Sequence, residues 1–514
     1  MPSPPPKAEK TEQTHDPPNP PLPHIKKWPP NLKKTLFSEL KQQSHIGLPI
    51  LAMNLMWFTK LIISTAFLGH LGPLNLAGGA LGLTFANVTG FSVLSGLTGA
   101  MEPICGQAFG ARNHALLNRT LVLTIFFLLL ASLPISYLWL NAHKILIFFG
   151  QDHELSNVAR VYLVHLLPDL IATSLLCPLR AYLSSQCQTV SIMICSAIAL
   201  AFHIPLNVFL AHSVQGVALV SWWTDLNAAA LMAAYAATSG PWLGGWWRGR
   251  WQWVKEFACI LRLAAPCCLM TCLEWWCYEL LMMLTGRLPN ARQSVATLAI
   301  VLNADYVLYS VMLSLATCAS VRVANELGAG HHQKAYEAMA MTLGLGVFSG
   351  WLGCVIMVSA RGLWGSVFSH NREVVRGVKR MMPLMAALEV FNFPQVVCGG
   401  VLRATATPGV GMWVNLAGFY VLALPLGAWL GFGRKMGLRG VFFGFLVGVA
   451  VCAFLMVTMV LRIDWVGQAC RAQEIVGLKG KGDEQSDRLD VEGLAMVVAV
   501  PQGLPKAQER ELTL

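Results

Sequence analysis

Charge is scarce in this sequence. Of its 514 residues only 12% are Asp, Glu, Lys or Arg, where a water-soluble chain carries about a quarter. That excludes an ordinary soluble enzyme or binding module. Polar and apolar residues do not alternate along the apolar segments, as they do in the strands of a membrane β-barrel. No two aspartates are adjacent and no aspartate-rich diphosphate motif is present, which removes the signature of a membrane prenyl transferase. The first thirty residues are polar and Pro-rich, without the apolar centre of a signal peptide.

Apolar residues are plentiful instead. They make up 55% of the chain and fall into runs of about 20 residues, the length that crosses a hydrocarbon core. Lipid offers the backbone no hydrogen bonds, so such runs must be helical. Twelve are expected, from 47–69 through to 438–461. The fold class is therefore an all-α polytopic membrane protein with twelve transmembrane helices. Residues 1–42 read as a disordered Pro-rich tail and 463–514 as a second, mostly disordered tail. An even number of spans puts both tails on one side. Their lysines and arginines favour the cytoplasm. The net charge of +11 is explained in the same way, and no nucleic-acid partner is expected. The sequon at Asn118 would then face the cytosol and is discounted.

The chain also repeats. CGQAFGARNHA (105–115) returns as VANELGAGHHQKA (323–335). Pro49 pairs with Pro266, Leu179-Arg180 with Leu402-Arg403, Pro205 with Pro425, and Gly216-Val217 with Gly440-Val441. Six spans separate the copies, so both halves have the same orientation. This is a parallel repeat typical of secondary transporters. It predicts two pseudo-symmetric six-helix lobes, 43–238 and 258–462, joined by a cytoplasmic linker at 239–257, with a cleft between them.

Charges inside the membrane cost about 2.5–3.5 kcal/mol each and usually mark function. The embedded acids are Asp169, Asp225, Glu274, Glu279, Asp305 and Glu389. Four of them lie in the second lobe, which is therefore expected to hold an acidic cavity. Burial and neighbouring carboxylates both favour the protonated acid, so this cluster can carry protons. It can equally bind Na⁺, attract an organic cation, or be locked in ion pairs with Lys60, Arg287 or Arg322. Lys60 is the lone basic residue at mid-span depth and can face an acid across the cleft or a carbonyl. Tyr278, Asn303 and Gln395 are further candidates for cleft contacts. His165 and His203 read as hydrogen-bonded structural residues. Glu102 and Glu326 precede Gly-Ala turns and are expected to fix the ends of spans two and eight by bonds to neighbouring turns. Gly106, Gln107, Gly110, Asn325 and Gly328 belong to the same motif. Cys268 and Cys272 lie one helical turn apart and are read as packing residues. No metal or other cofactor is expected.

The stretches MEPICGQAFGA (101–111), PLRAYLSSQ (178–186), CLEWWCYELLMMLTGRLPN (272–290), VRVANELGAG (321–330) and VCGGVLRATATPG (397–409) resemble the multidrug and toxic compound extrusion (MATE) family, in its plant DETOXIFICATION-type branch. The resemblance implies a rocking exporter of small organic solutes, driven by H⁺ or Na⁺ and working as a monomer in a plasma or endomembrane. It implies coupling through Glu274 and Glu279. The family's span-ten acid falls at Asn392 here, with Glu389 one turn earlier as its substitute. Ala404 replaces a common Gly. Some bacterial members use an acid in span one, where this chain has only Lys60. The alternative is a lipid or lipid-linked sugar flippase, which would need a basic cleft.

Overall fold

The computed structural model describes residues 32–239, 250–369 and 371–477. These residues are helical almost throughout, with no strand among them. Twelve helices are long and apolar enough to span a bilayer. In chain order they are α1 Leu32–His70, α2 Pro73–Gly110, α3 His114–Leu140, α4 His153–Ser185, α5 Thr189–Leu210 and α6 Val214–Ser239. The second set is α7 Arg250–Thr285, α8 Ala291–Gly328, α9 His332–Ala360, α10 Arg372–Ala404, α11 Pro408–Gly433 and α12 Leu438–Leu461. α13, Trp465–Ile475, follows the last span.

Three of these helices enter segments read as tail or linker. α1 begins at Leu32, within 1–42, and α7 at Arg250, within 239–257. α13 lies inside 463–514. It forms because Trp465, Ala469 and Ala472 present one apolar face, which is buried in the core of the second lobe. The rest of both tails and residues 240–249 of the linker lie outside the described residues.

α1–α6 form one bundle and α7–α12 the other. The repeat can be followed in the backbone. α4 and α10 each have 33 residues, and His153 to Arg372 and Ser185 to Ala404 are the same separation of 219 residues. The turns after α2, α4, α8 and α10 each hold one left-handed residue: Arg112, Cys187, Gly330 and Ala406. Each turn is closed by the same bond across five residues, Asn113 N to Ala108 O, Gln188 N to Leu183 O, His331 N to Glu326 O and Thr407 N to Leu402 O. These are four Schellman caps. They correct one pairing from the sequence. Arg180 and Arg403 are not equivalent but one turn apart: Arg403 matches Ser184, and Arg180 matches Gly399.

The lobes meet on the side of the tails. There Ile50, Met101 and Ile104 share a core with Ile260, Ala264 and Val321. Gln107 Nε2 donates to Ala404 O and, reciprocally, Asn325 Nδ2 donates to Ser185 O, both at 3.0 Å. A methyl group on Gly110 would land on the Asn325 carbonyl, and one on Gly328 on the Gln107 carbonyl. Among the described residues, the hydrogen bonds joining the lobes run from this end to mid-depth. They reach Asn54 on Ser310 O and Ser314 Oγ, and Trp276 on Val88 O. Beyond that depth α2 turns back onto its own lobe, where Gly78 and Gly82 lie against α4. The lobes therefore enclose a space that widens away from the tails.

Candidate functional site: an acid-walled cavity between the lobes

That space contains a cavity of about 290 Å³, with walls from α1, α2, α7 and α8. Helical periodicity places its groups. On α7, Glu274 and Tyr278 are four residues apart, as are Trp275 and Glu279; on α8, so are Asp305 and Tyr309. The opposite wall brings Trp57, Phe58 and Leu61 from α1, and Leu83 and Asn87 from α2. Asn87 starts a π-helical turn, Asn87–Phe91, an irregularity that often accompanies functional sites. Phe58 stacks on Tyr306 across the lobes, with centroids 6.0 Å apart. Trp275 Nε1 donates to Tyr309 Oη at 2.8 Å.

Three carboxyl groups line this cavity, Glu274, Glu279 and Asp305, and no basic side chain does. Glu274 Oε1 and Asp305 Oδ1 are buried without a hydrogen-bond partner. Behind Asp305 stands Glu389, 0% exposed, with neither carboxyl oxygen bonded to a donor. Asp305 and Glu389 face each other within hydrogen-bonding range. Neither of the two forms an ion pair among the described residues. Asn392 completes this group, its Nδ2 donating to Tyr278 Oη at 3.3 Å. Gln395 is buried with its amide atoms unbonded, and it shares a smaller cavity of about 110 Å³ with Glu274 and Arg403. Glu274 thus stands between two cavities.

Other expected residues lie elsewhere. Asn303 is exposed and lines none of the cavities described here. Lys60 does not reach across the cleft: its Nζ lies 2.6 Å from Asp225 Oδ2 in its own lobe. Arg322 is held by Glu39 at 2.9 Å and by Glu326 at 3.1 Å. Neither cation therefore reaches Glu274, Glu279, Asp305 or Glu389. Glu102 bonds not to a neighbouring turn but across the lobes, accepting from Arg403 Nε at 3.0 Å and Ser320 Oγ at 2.8 Å. Glu326 does hold its turn, facing His331 Nδ1 at 3.1 Å. Gly106 packs against Ala324, beside the glycine contacts already described. His203 bonds Thr224 and Ser64, and His165 bonds Val161 O. Cys268 Sγ lies 3.7 Å from Cys272 Sγ.

Sequence reasoning missed a second charged group. Lys60, Asp169, Arg180 and Asp225 converge on a cavity of about 140 Å³ inside the first lobe. All but Arg180 were recognised as embedded charges. Their convergence involves helices α1, α4 and α6, more than a hundred residues apart at the extremes, and no local pattern signals it.

Two six-helix lobes around an acid-walled cavity are the architecture of a membrane transporter. Residues 49–209 and 266–429 match the MatE family. The chain is 50% identical over 450 residues to Protein DETOXIFICATION 56 of Arabidopsis thaliana, covering 86% of this chain and 91% of that protein. It is 39% identical over 455 residues to Protein DETOXIFICATION 48 of the same plant, covering 88% and 85%. Its fold is similar to the crystal structure of the eukaryotic MATE transporter AtDTX14, with a TM-score of 0.82, 32% identity, and coverage of 86% of this chain and 100% of that one. The chain belongs to the MatE family of transporters, which move small organic compounds across membranes.

Proposed function

We propose that this protein exports organic solutes from the cytosol in exchange for protons, in a plasma or endomembrane, with both tails in the cytosol. One observation carries the reading. Glu274, Glu279 and Asp305, which line the central cavity, form no ion pair among the described residues, while Lys60, Arg322 and Arg403 are each paired with another acid. Charges that serve only the scaffold are paired, whereas unpaired acids facing a cavity are available to ions and cargo.

With the tails in the cytosol, the closed end faces inward and the cavity opens outward. Protons reaching Glu274 and the Asp305–Glu389 pair from outside neutralise the wall that holds the solute. Release and lobe closure follow, because proton and solute favour different states of the same cavity. Glu274, between the central cavity and the one near Arg403, hands the proton toward the inner side. A sodium-coupled cycle predicts the same mutant phenotypes but a different driving ion. Reconstituted vesicles separate the two. A pH gradient imposed without sodium should drive accumulation of a fluorescent organic solute by the wild type. Glu274→Gln and Glu279→Gln should lose gradient-driven uptake while retaining solute exchange. Wild-type gradient-driven rates in both variants would refute the assignment.

A further inference from the structure

The cavity beside Arg403 has a counterpart in the first lobe. The first is lined by Met270, Gly399 and Arg403 at about 110 Å³, the second by Met53, Arg180 and Ser184 at about 170 Å³. The repeat maps Met53 onto Met270, Arg180 onto Gly399 and Ser184 onto Arg403. In the second lobe the arginine is held by Glu102. The residue equivalent to Glu102 is Ser320, 218 residues later, and it lines the counterpart cavity. The ion pair of one half is thus two serines in the other. The first lobe carries its arginine one turn deeper, and among the described residues no acid pairs with it.

Two of the three nearby acids are engaged elsewhere, and the third forms no ion pair with Arg180. Glu102 also lines this cavity, but its carboxylate is taken by Arg403 and Ser320. Asp225 is taken by Lys60, whereas Asp169, beside Asp225, keeps its Oδ1 buried without a partner and forms no ion pair with Arg180. Arg180 Nε is buried with no partner. The rest of the side chain faces both the 140 Å³ and the 170 Å³ cavity. The former adjoins the acid-walled cavity across Trp57, Leu61, Leu83 and Asn87, which line both. A guanidinium that forms no ion pair and faces a cavity is a bidentate receptor for an oxyanion.

We propose that Arg180 receives an anionic group of the transported solute, a carboxylate or similar oxyanion, while the solute's aromatic body lies against Trp57. This rests on the exporter reading and narrows it. Cargo of this protein includes aromatic acids and zwitterions, with the anion at Arg180 and any cationic group toward Glu274 and Glu279. A released carboxylate leaves Arg180 free again, so the site resets without a change in the protein's own ion pairs.

The test uses the purified full chain and three probes of one shape: 2-naphthoate, 2-naphthamide and 2-naphthylmethylamine. Wild-type protein should bind naphthoate about ten-fold more tightly than naphthamide, the usual gain from a charge-assisted bond. Arg180→Gln should abolish that preference and leave amine binding unchanged. Arg180→Lys should restore part of it. Ser184→Asp keeps the arginine but offers it an internal carboxylate one turn away, and should also abolish the preference. Equal binding of naphthoate and naphthamide by the wild type would overturn the proposal. So would a uniform loss of all three probes in Arg180→Gln, or full naphthoate preference in Ser184→Asp. Binding is measured without a gradient. Failure of the exporter reading would therefore show as absent gradient-driven uptake with the naphthoate preference intact.

Discussion

Where α7 carries Glu274, the repeat gives α1 Trp57; where α8 carries Asp305, α2 carries Asn87; where α10 carries Glu389, α4 carries Leu170. The exchange runs the other way too. Lys60, Asp169 and Arg180 of the first lobe correspond to Cys277, Leu388 and Gly399 of the second. None of these charged positions is charged in both halves. Duplication kept the helix lengths, the turn geometry and the place of the cavity, all properties of the backbone and its apolar packing. The charges were distributed afresh. The second lobe has carboxyl groups facing open space, and the first has an ion pair with an unpaired acid, Asp169, and an unpaired guanidinium, Arg180, beside it.

The contrast can be broken from either side. The largest effect is expected in the second lobe. Asp305→Asn and Glu389→Gln should each reduce gradient-driven uptake to the level of empty vesicles. The double variant should be no worse, because two carboxyl groups in contact act as one unit. Additive, partial losses would show that the two acids titrate independently. An intermediate effect is expected in the first lobe. Lys60→Met leaves Asp225 buried without its cation and should cost about 3–5 kcal/mol of stability, the usual toll of halving a buried pair. Thermal unfolding in detergent would read this. Replacing Asp225 by Asn in the same protein should restore most of it, with proton coupling unaltered throughout. The smallest effect belongs to Asn303. It lies on the exposed face of α8, and Asn303→Ala should change solute binding less than about two-fold.

Much of this molecule was legible in its sequence. The twelve spans follow from run length and the poverty of charge, and the two lobes from motifs repeated in order. Glu274, Glu279 and Asp305 were picked out by the cost of burying an acid, which needs no partner to be named. Pairings were less legible. The Leu-Arg dipeptides at 179–180 and 402–403 match as text but sit one helical turn apart. A slip of one turn keeps both on the same helix face, so periodicity is blind to it; only the helix ends expose the shift. The bond from Glu102 to Arg403 joins residues 301 apart, and that of Lys60 to Asp225 joins residues 165 apart. Separations like these are set by how bundles dock, which composition does not encode. α13 was missed because its length falls short of a span and its apolar face is a single stripe.

At the seam beside the tails, Gly110 and Gly328 let main chain touch main chain. At these two points the contact involves no side-chain rotamers. It also tolerates no sliding, since a shift of one residue would drive a Cβ into a carbonyl. The two halves therefore fit there like a key in its lock, in one register only.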